Sequence, residues 1–338
     1  MEPRGGFAGR AAGRRFDLRT GSLDGPGPDG EAELLDSCAH TAIFYHDAGE
    51  YADEVGAFIR RGLATRDPVL VAVPRKRALR IREALGAHAD RVTFTDMATL
   101  GRNPGRIISA IHEFAESHDG HHVWCVVEPV WPHKTAAERT ETMRYETLIN
   151  VAFADQRVHV LCPYDAEALD PVLLAEAERV HPALIAEGRA EANHAYAGPS
   201  LAPEHDSPLP DPPADVDVLS YRDEPATARA FVRDRARRAG LREPRITDLV
   251  IAVGELAANT LRHTRGGGTL RVWGNGLEVI CEVRDSGHIK DALAGQRHPP
   301  ADASRGHGLW VVHQVCDLVE IRTGQSGTVF RLHMALGT

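Results

Sequence analysis

The sequence predicts an α/β protein built as two domains joined by a linker. Its 338 residues exceed what a single hydrophobic core usually supports. The first half alternates short β-branched runs with longer amphipathic ones, and prolines at 199, 203, 208, 210, 212 and 213 separate it from a half of different rhythm. Proline at that density holds the chain extended and supports neither a helix nor an interior strand, so the linker is placed at 196–215, between domains at 36–195 and 216–338. Residues 1–35, rich in Gly and Arg and without an apolar run, read as a disordered tail.

In the first domain the apolar runs 41–45, 68–73, 91–95, 123–128 and 157–162 are read as strands, and the stretches near 48–63, 75–86, 104–118, 135–154 and 170–193 as helices. Five apolar strands, each separated by a helix, require parallel crossovers and a sheet covered on both faces, which is a doubly wound α/β domain. Ligands of such sheets bind beyond the C-terminal strand ends. That singles out His46 and Asp47, the segment Pro74 to Lys76, and Glu128 to His133. None is a phosphate loop, because Pro-Arg-Lys-Arg follows the second strand where glycines would have to wrap a phosphate.

Composition narrows the function classes. A formal net charge of −9 supplies no concentrated basic surface, so a direct nucleic-acid partner is not expected. No run of 18 apolar residues is present, so no membrane span is expected. The five cysteines are odd in number, widely spaced and never Cys-x-x-Cys, which fits a reducing cytoplasm.

The second domain carries the chemistry. After a strand at 217–221 and a helix near 225–239, residues 245–264 place Ile246, Leu249, Val250, Val253, Leu256, Ala257 and Leu261 on one helical face. Glu255 and Asn259 lie on another face one turn apart, so both address one small volume. A carboxylate beside an amide carbonyl suits Mg held with a nucleotide, since Mg takes few protein oxygens and completes its shell with phosphates and water. Arg262 and His263, a further turn along, either meet phosphate or solvate the helix end. A hairpin through Gly274-Asn275-Gly276 then delivers Asp285-Ser286-Gly287 to a strand end. There Asp285 can accept a hydrogen bond from an adenine amino group, and Gly287 permits close approach to the ring. Residues 288–304 lack periodicity and read as a lid. Gly306-His307-Gly308 open the next helix, where free N–H groups and the positive helix end form a phosphate site. A last hairpin turns between Gly324 and Gly327 and places Thr328 near the base or its bound water.

These segments, ELAANTLRH, DSG, GHGLWVV and GTVF in order, resemble the four boxes of the GHKL ATPase superfamily. The resemblance implies an α/β two-layer sandwich of the Bergerat type that binds ATP with Mg. The order Glu then Asn four later, with a short lid, is similar to the RsbW-type anti-sigma serine kinases. By that resemblance Asn259 ligates Mg, Asp285 reads adenine, Gly306 and Gly308 hold phosphates, and Glu255 is the catalytic base toward a partner's serine. Histidine kinases would need a phosphoacceptor histidine on a long helix pair where this chain has its proline-rich linker. One departure is that Ile289 follows Ser286-Gly287-His288 where the glycine box usually continues to a second glycine.

The stretch HTAIFYHDAGEYADEVGAFIRRGLATRDPVLVAVP resembles the MEDS sensory domain, itself similar to RecA-like folds without a working phosphate loop. His40 and Tyr45 match the opening of that pattern, and Glu128-Pro129 with Trp131-Pro132 match its later loop, which makes His40, Tyr45, Glu128 and Trp131 the sensory candidates. His40 is equally readable as capping a strand, and Trp124 as core. His118, His121 and His122 lack cysteine partners and helical pairing, so no zinc is assigned to them. The combined resemblance is to the RsbA-family regulators. It implies a cytoplasmic anti-sigma switch whose partners are a sigma factor and a STAS-domain antagonist, and it leaves a homodimer open. The alternative is a nucleotide-dependent sequestering module without kinase turnover, which Ile289 motivates.

Overall fold

A computed structural model describes residues 40–186, 189–201, 206–299 and 306–337. The expected tail lies outside these residues. The first sheet is built from β1 (His40–Tyr45), β2 (Val69–Val73), β3 (Val92–Asp96), β4 (Val123–Val127), β5 (Val158–Asp165), β6 (Ala183–Ala186) and β7 (Arg189–Ala192), in the order β3-β2-β4-β5-β1-β6-β7. Crossover helices α1 (Ala48–Ala64), α2 (Arg75–Leu85), the short α3 (Met97–Leu100), α4 (Gly105–Glu116), α5 (Ala136–Ala152) and α6 (Pro171–Val180) connect them. Alternation along the strands feeds two cores. Val69, Val71 and Val73 pack with Val55, Phe58 and Ile59 of α1, whereas Leu70 and Ala72 pack on the opposite face with Ile107, Ile108 and Ile149 of α4 and α5.

One expectation is corrected here. The helix expected over 170–193 stops at Val180, and residues 183–186 and 189–192 pair as strands instead. Pro182 is the physical cause, because it pushes His181 out of the helical region, to φ −104° and ψ 122°. The sheet therefore has seven strands rather than five: β6 runs parallel to β1, and β7 is antiparallel to β6.

The second sheet has five antiparallel strands in the order β11-β12-β10-β9-β8: β8 (Asp217–Tyr221), β9 (Gly268–Gly274), β10 (Glu278–Asp285), β11 (Leu318–Gly324) and β12 (Gly327–Ala335). Helices α7 (Pro225–Arg238), α8 (Glu243–His263) and α9 (His307–Val315) supply the apolar layer. Six of the predicted face residues of α8, Ile246, Leu249, Val250, Val253, Leu256 and Ala257, are buried there, with Leu261 partly buried beside them. The other sheet face is polar: Arg331 pairs with Glu282 at 2.7 Å, and His333 lies 2.9 Å from Glu320.

The two sheets are joined by polar contacts. The C-terminal carbonyls of α9, left without helical partners, are taken by the start of α4: Asn103 Nδ2 donates to His313 O (2.9 Å), and Arg106 donates to His313 O and Cys316 O (2.8 and 2.6 Å). Arg322 of β11 pairs with Glu141 of α5 at 2.6 Å. Arg322 and Arg331 also donate to Ser207 O and Pro210 O, pinning the proline-rich stretch along the second sheet.

Candidate functional site

A cavity of about 850 Å³ opens between α8, the end of β10, the lid and the start of α9. Glu255, Asn259, Arg262, His263, Asp285, Gly287, Gly306, His307, Gly308 and Thr328 all line it, so the ten nucleotide-site residues expected from sequence are brought together.

The order in this cavity comes from hydroxyl links and close backbone approaches. Asp285 Oδ2 accepts from Thr260 Oγ1 (2.7 Å), whose own oxygen accepts from Tyr221 Oη (3.1 Å). The other carboxylate oxygen accepts from the Gly287 N–H at 2.8 Å, and Thr328 Oγ1 donates to Gly287 O at 2.8 Å. A Cβ on Gly327 (φ 110°) would meet Asp285 O at 1.9 Å, so only glycine lets the last hairpin sit against this loop. At Gly308 a Cβ would come within 2.7 Å of the Glu255 carboxylate, which would have to shift to admit it. The N-terminus of α9, entered through Gly306 at φ 97°, thus faces Glu255 and Asn259 across a gap kept free of side chain.

The residues fit a magnesium-bound nucleotide on two counts. Gly308 leaves a cradle that a side chain would fill, and Thr264 Oγ1, which belongs to a cavity-lining residue, is buried without a hydrogen-bond partner among the described residues. Arg262 Nη1 donates to Asn259 Oδ1 at 3.0 Å, so the amide oxygen expected to ligate Mg is held by a guanidinium. Reading the sequence alone missed Thr260 and Tyr221, although a hydroxyl on the buried face of α8 was a visible signal.

The four sensory candidates do not form one site. Tyr45 and Glu128 meet at the C-terminal strand ends: Arg77 Nη2 donates to Tyr45 Oη (2.7 Å) and to Asp165 (3.3 Å), and Tyr51 Oη donates to Glu128 Oε2 (3.0 Å). The Arg77 guanidinium also lies over the rings of Tyr45 and Tyr51, at 5.0 and 4.5 Å. Burial pushes the Glu128 carboxyl up to about 7 against the opposing pull of Arg77. Arg77 went unnoticed because its partners are spread along the chain. Trp131 stands apart, with the Lys134 ammonium 4.2 Å from its ring centre. His40, at the other end of β1 and its first residue, is fully buried, 2.9 Å from Glu146. Trp124 is core, packed on Phe58.

Residues 39–182 match the family model of the MEDS domain, the methanogen/methylotroph DcmR sensory domain, and residues 221–334 match that of the histidine kinase-like ATPase domain. The chain couples a MEDS domain to a histidine kinase-like ATPase domain. Among solved structures it is similar to the RsbU and RsbW domains of Rv1364c from Mycobacterium tuberculosis, at 20% identity over 36% of this chain and 33% of that one, with a TM-score of 0.28. It is also similar to the Acinetobacter baumannii histidine kinase AdeS, at 15% identity over 41% of this chain and 74% of that one, with a TM-score of 0.24. The chain spans about a third of the length of the first, and at these scores neither bears on function. No curated protein matches the chain. No helix among the described residues is long and apolar enough to cross a membrane.

The MEDS domain reaches the ATPase cavity. His112 of α4 lines it, and Trp310 of α9 donates to Ser109 Oγ of α4 at 2.9 Å. Leu293, within the lid, is 3% exposed and packs in a MEDS-domain core. No short motif announces these contacts, since they depend on how the two sheets are docked.

Proposed function

We propose that the chain is an ATP- and Mg-dependent anti-sigma switch that phosphorylates a serine or threonine of a STAS-type partner under control of the MEDS domain. The observation that carries this reading is the convergence of Glu255, Asn259, Asp285 and the glycine-opened start of α9 on one cavity. Asp285 accepts a hydrogen bond from the adenine amino group while Thr260 and the Gly287 N–H hold its carboxylate in place. The N–H groups of Gly306 to Gly308 receive the phosphates. Bound Mg would supply charge neutralisation of the phosphates, and Asn259 would hold it, with Arg262 released to the phosphates. The partner hydroxyl forms a bond to the γ-phosphorus, the β–γ bridging bond breaks, ADP leaves, and the hydroxyl proton passes to Glu255. Leu293, His112 and Trp310 give the MEDS domain a physical hold on the lid and on α9.

The same features support a second reading, partner sequestration without turnover. Ile289 packs against the ATPase core where the glycine box would continue, and Leu293 ties down the lid. Calorimetry and labelled ATP separate the two. Asp285→Asn is expected to weaken nucleotide binding about 10- to 100-fold, from one mispaired polar contact of about 1–3 kcal/mol. Glu255→Ala should bind ATP yet lose transfer to purified STAS proteins. Tight ATP binding by the unaltered chain with no transfer to any partner selects sequestration, and no heat with ATP and Mg removes both.

A further inference from the structure

Four side chains that could each offer a ligand atom to a metal converge inside the MEDS domain: His40 at the start of β1, Glu146 on α5, Cys162 on β5, and His181 just past α6. All are fully buried, and their ligand atoms lie within 4.8 Å of one another. It is the one such group among the described residues.

Hydrogen bonds outside the cluster fix how the rings face. His181 Nδ1 lies 2.6 Å from Ala177 O, an atom that only accepts, so Nδ1 carries a proton and Nε2 turns a lone pair inward. Asn150 gives its amide hydrogens to Val180 O (2.9 Å) and Glu146 O (3.4 Å). Its Oδ1 therefore faces His40 Nδ1 at 3.3 Å as an acceptor, and His40 Nε2 also turns inward. Such outer partners, a backbone carbonyl for one imidazole and a fixed amide for the other, orient histidines that bind metals.

Inside, both imidazole lone pairs face the Glu146 carboxylate, and the Cys162 thiol is the donor to it. His40 Nε2 lies 2.9 Å from Glu146 Oε2 and 3.3 Å from Cys162 Sγ, and the same carboxylate oxygen lies 3.5 Å from Cys162 Sγ and 3.5 Å from His181 Nε2. A proton on His40 would relieve the shortest contact. It would leave His181 Nε2 and Glu146 Oε1, both buried, without a hydrogen bond among the described residues. A divalent cation would serve all four groups and neutralise the buried carboxylate. The edges of a tetrahedron with metal–ligand bonds of about 2.0–2.3 Å are roughly 3.3–3.7 Å, so these four separations need to open by only a few tenths of an ångström, and the remaining two lie within 4.8 Å.

We infer that His40, Glu146, Cys162 and His181 form a closed, four-coordinate site for a zinc-class divalent metal. Two imidazoles and a thiolate with one carboxylate suit zinc and exclude the hard, oxygen-seeking Mg and Ca. Full burial leaves no open position for substrate, so the metal ties β1, α5, β5 and the end of α6 together instead of catalysing. Binding takes the proton from the Cys162 thiol and releases it to solvent. The site is independent of the nucleotide cavity, and its test needs no nucleotide.

The full chain, dialysed against a chelator and confirmed folded by circular dichroism, is titrated with Zn²⁺ and separately with Co²⁺. One equivalent per chain is expected, with the visible bands of tetrahedral Co²⁺ and a near-ultraviolet thiolate-to-cobalt band. Cys162→Ser should abolish the thiolate band. Asn150→Ala, which touches no metal, should weaken binding about 10- to 100-fold. The inference is overturned if the folded chain takes up well under one equivalent of either ion, or if the thiolate band survives Cys162→Ser.

Discussion

In the second sheet one imidazole, His333, sits between two carboxylates, Glu278 at 3.1 Å and Glu320 at 2.9 Å; in the first, one carboxylate, Glu146, faces two imidazoles and a thiol. Both use histidine with glutamate, the Glu146 cluster fully buried and the His333 cluster buried except for the half-buried Glu278. The difference lies in the count of donors and acceptors. His333 can donate from both nitrogens and so closes its cluster as an ion-paired unit, and its carboxylates raise its pKa to about 9 although burial alone would lower it. Around Glu146 the Cys162 thiol donates at 3.5 Å, yet His181 Nε2 and Glu146 Oε1 are left without a hydrogen bond among the described residues. A buried histidine–carboxylate contact is therefore not one structural device but two, and the ratio of the partners tells them apart.

The largest effect that could break this comparison is metal removal. Chelation should lower the unfolding free energy of the MEDS half by about 4 kcal/mol when free Zn²⁺ had stood about a thousandfold above its dissociation constant. The ATPase half should not move, and denaturant melts followed separately for the two halves would show whether both shift together.

The next effect is on pH dependence. Because the folded pKa of His333 lies above its unfolded value of 6.5, its stabilisation is fully present below about pH 6.5 and is lost as pH rises through about 9. A shift of that size corresponds to roughly 3 kcal/mol. His333→Gln should flatten the stability of the ATPase half across this window, as read from denaturation midpoints, and an unchanged slope would remove the ion-paired description.

The smallest expected effect concerns the helix that serves both neighbourhoods. The capping box of Thr135 and Glu138 starts α5, which carries Glu141 toward Arg322 and Glu146 toward the metal ligands. Thr135→Ala should cost about 1 kcal/mol in the MEDS half and leave the pH slope of the ATPase half as it was.

Much of the nucleotide cavity could be read from the chain because its residues are close in sequence or lie at element ends. Glu255 and Asn259 share a helix face, Asp285 ends a hairpin strand, and Gly306 to Gly308 open a helix; each position follows from a period or a turn. The strands of the first sheet were legible for the same reason, down to Trp124 as core. The β6–β7 hairpin was misread because residues 183–192 are apolar enough for either structure, and pairing with β1 decided the outcome.

By itself, then, the sequence determined two α/β domains, their order, and a helix-and-glycine constellation suited to ATP, since all of these rest on spacings of a few residues. Only the tertiary structure decided that β1 lies beside β5, which brings His40 and Cys162, 122 positions apart, to 3.3 Å from one another. It likewise decided that Leu293 of the lid belongs to the first domain's core. Convergence of distant side chains depends on sheet order and domain docking, and no local periodicity encodes either.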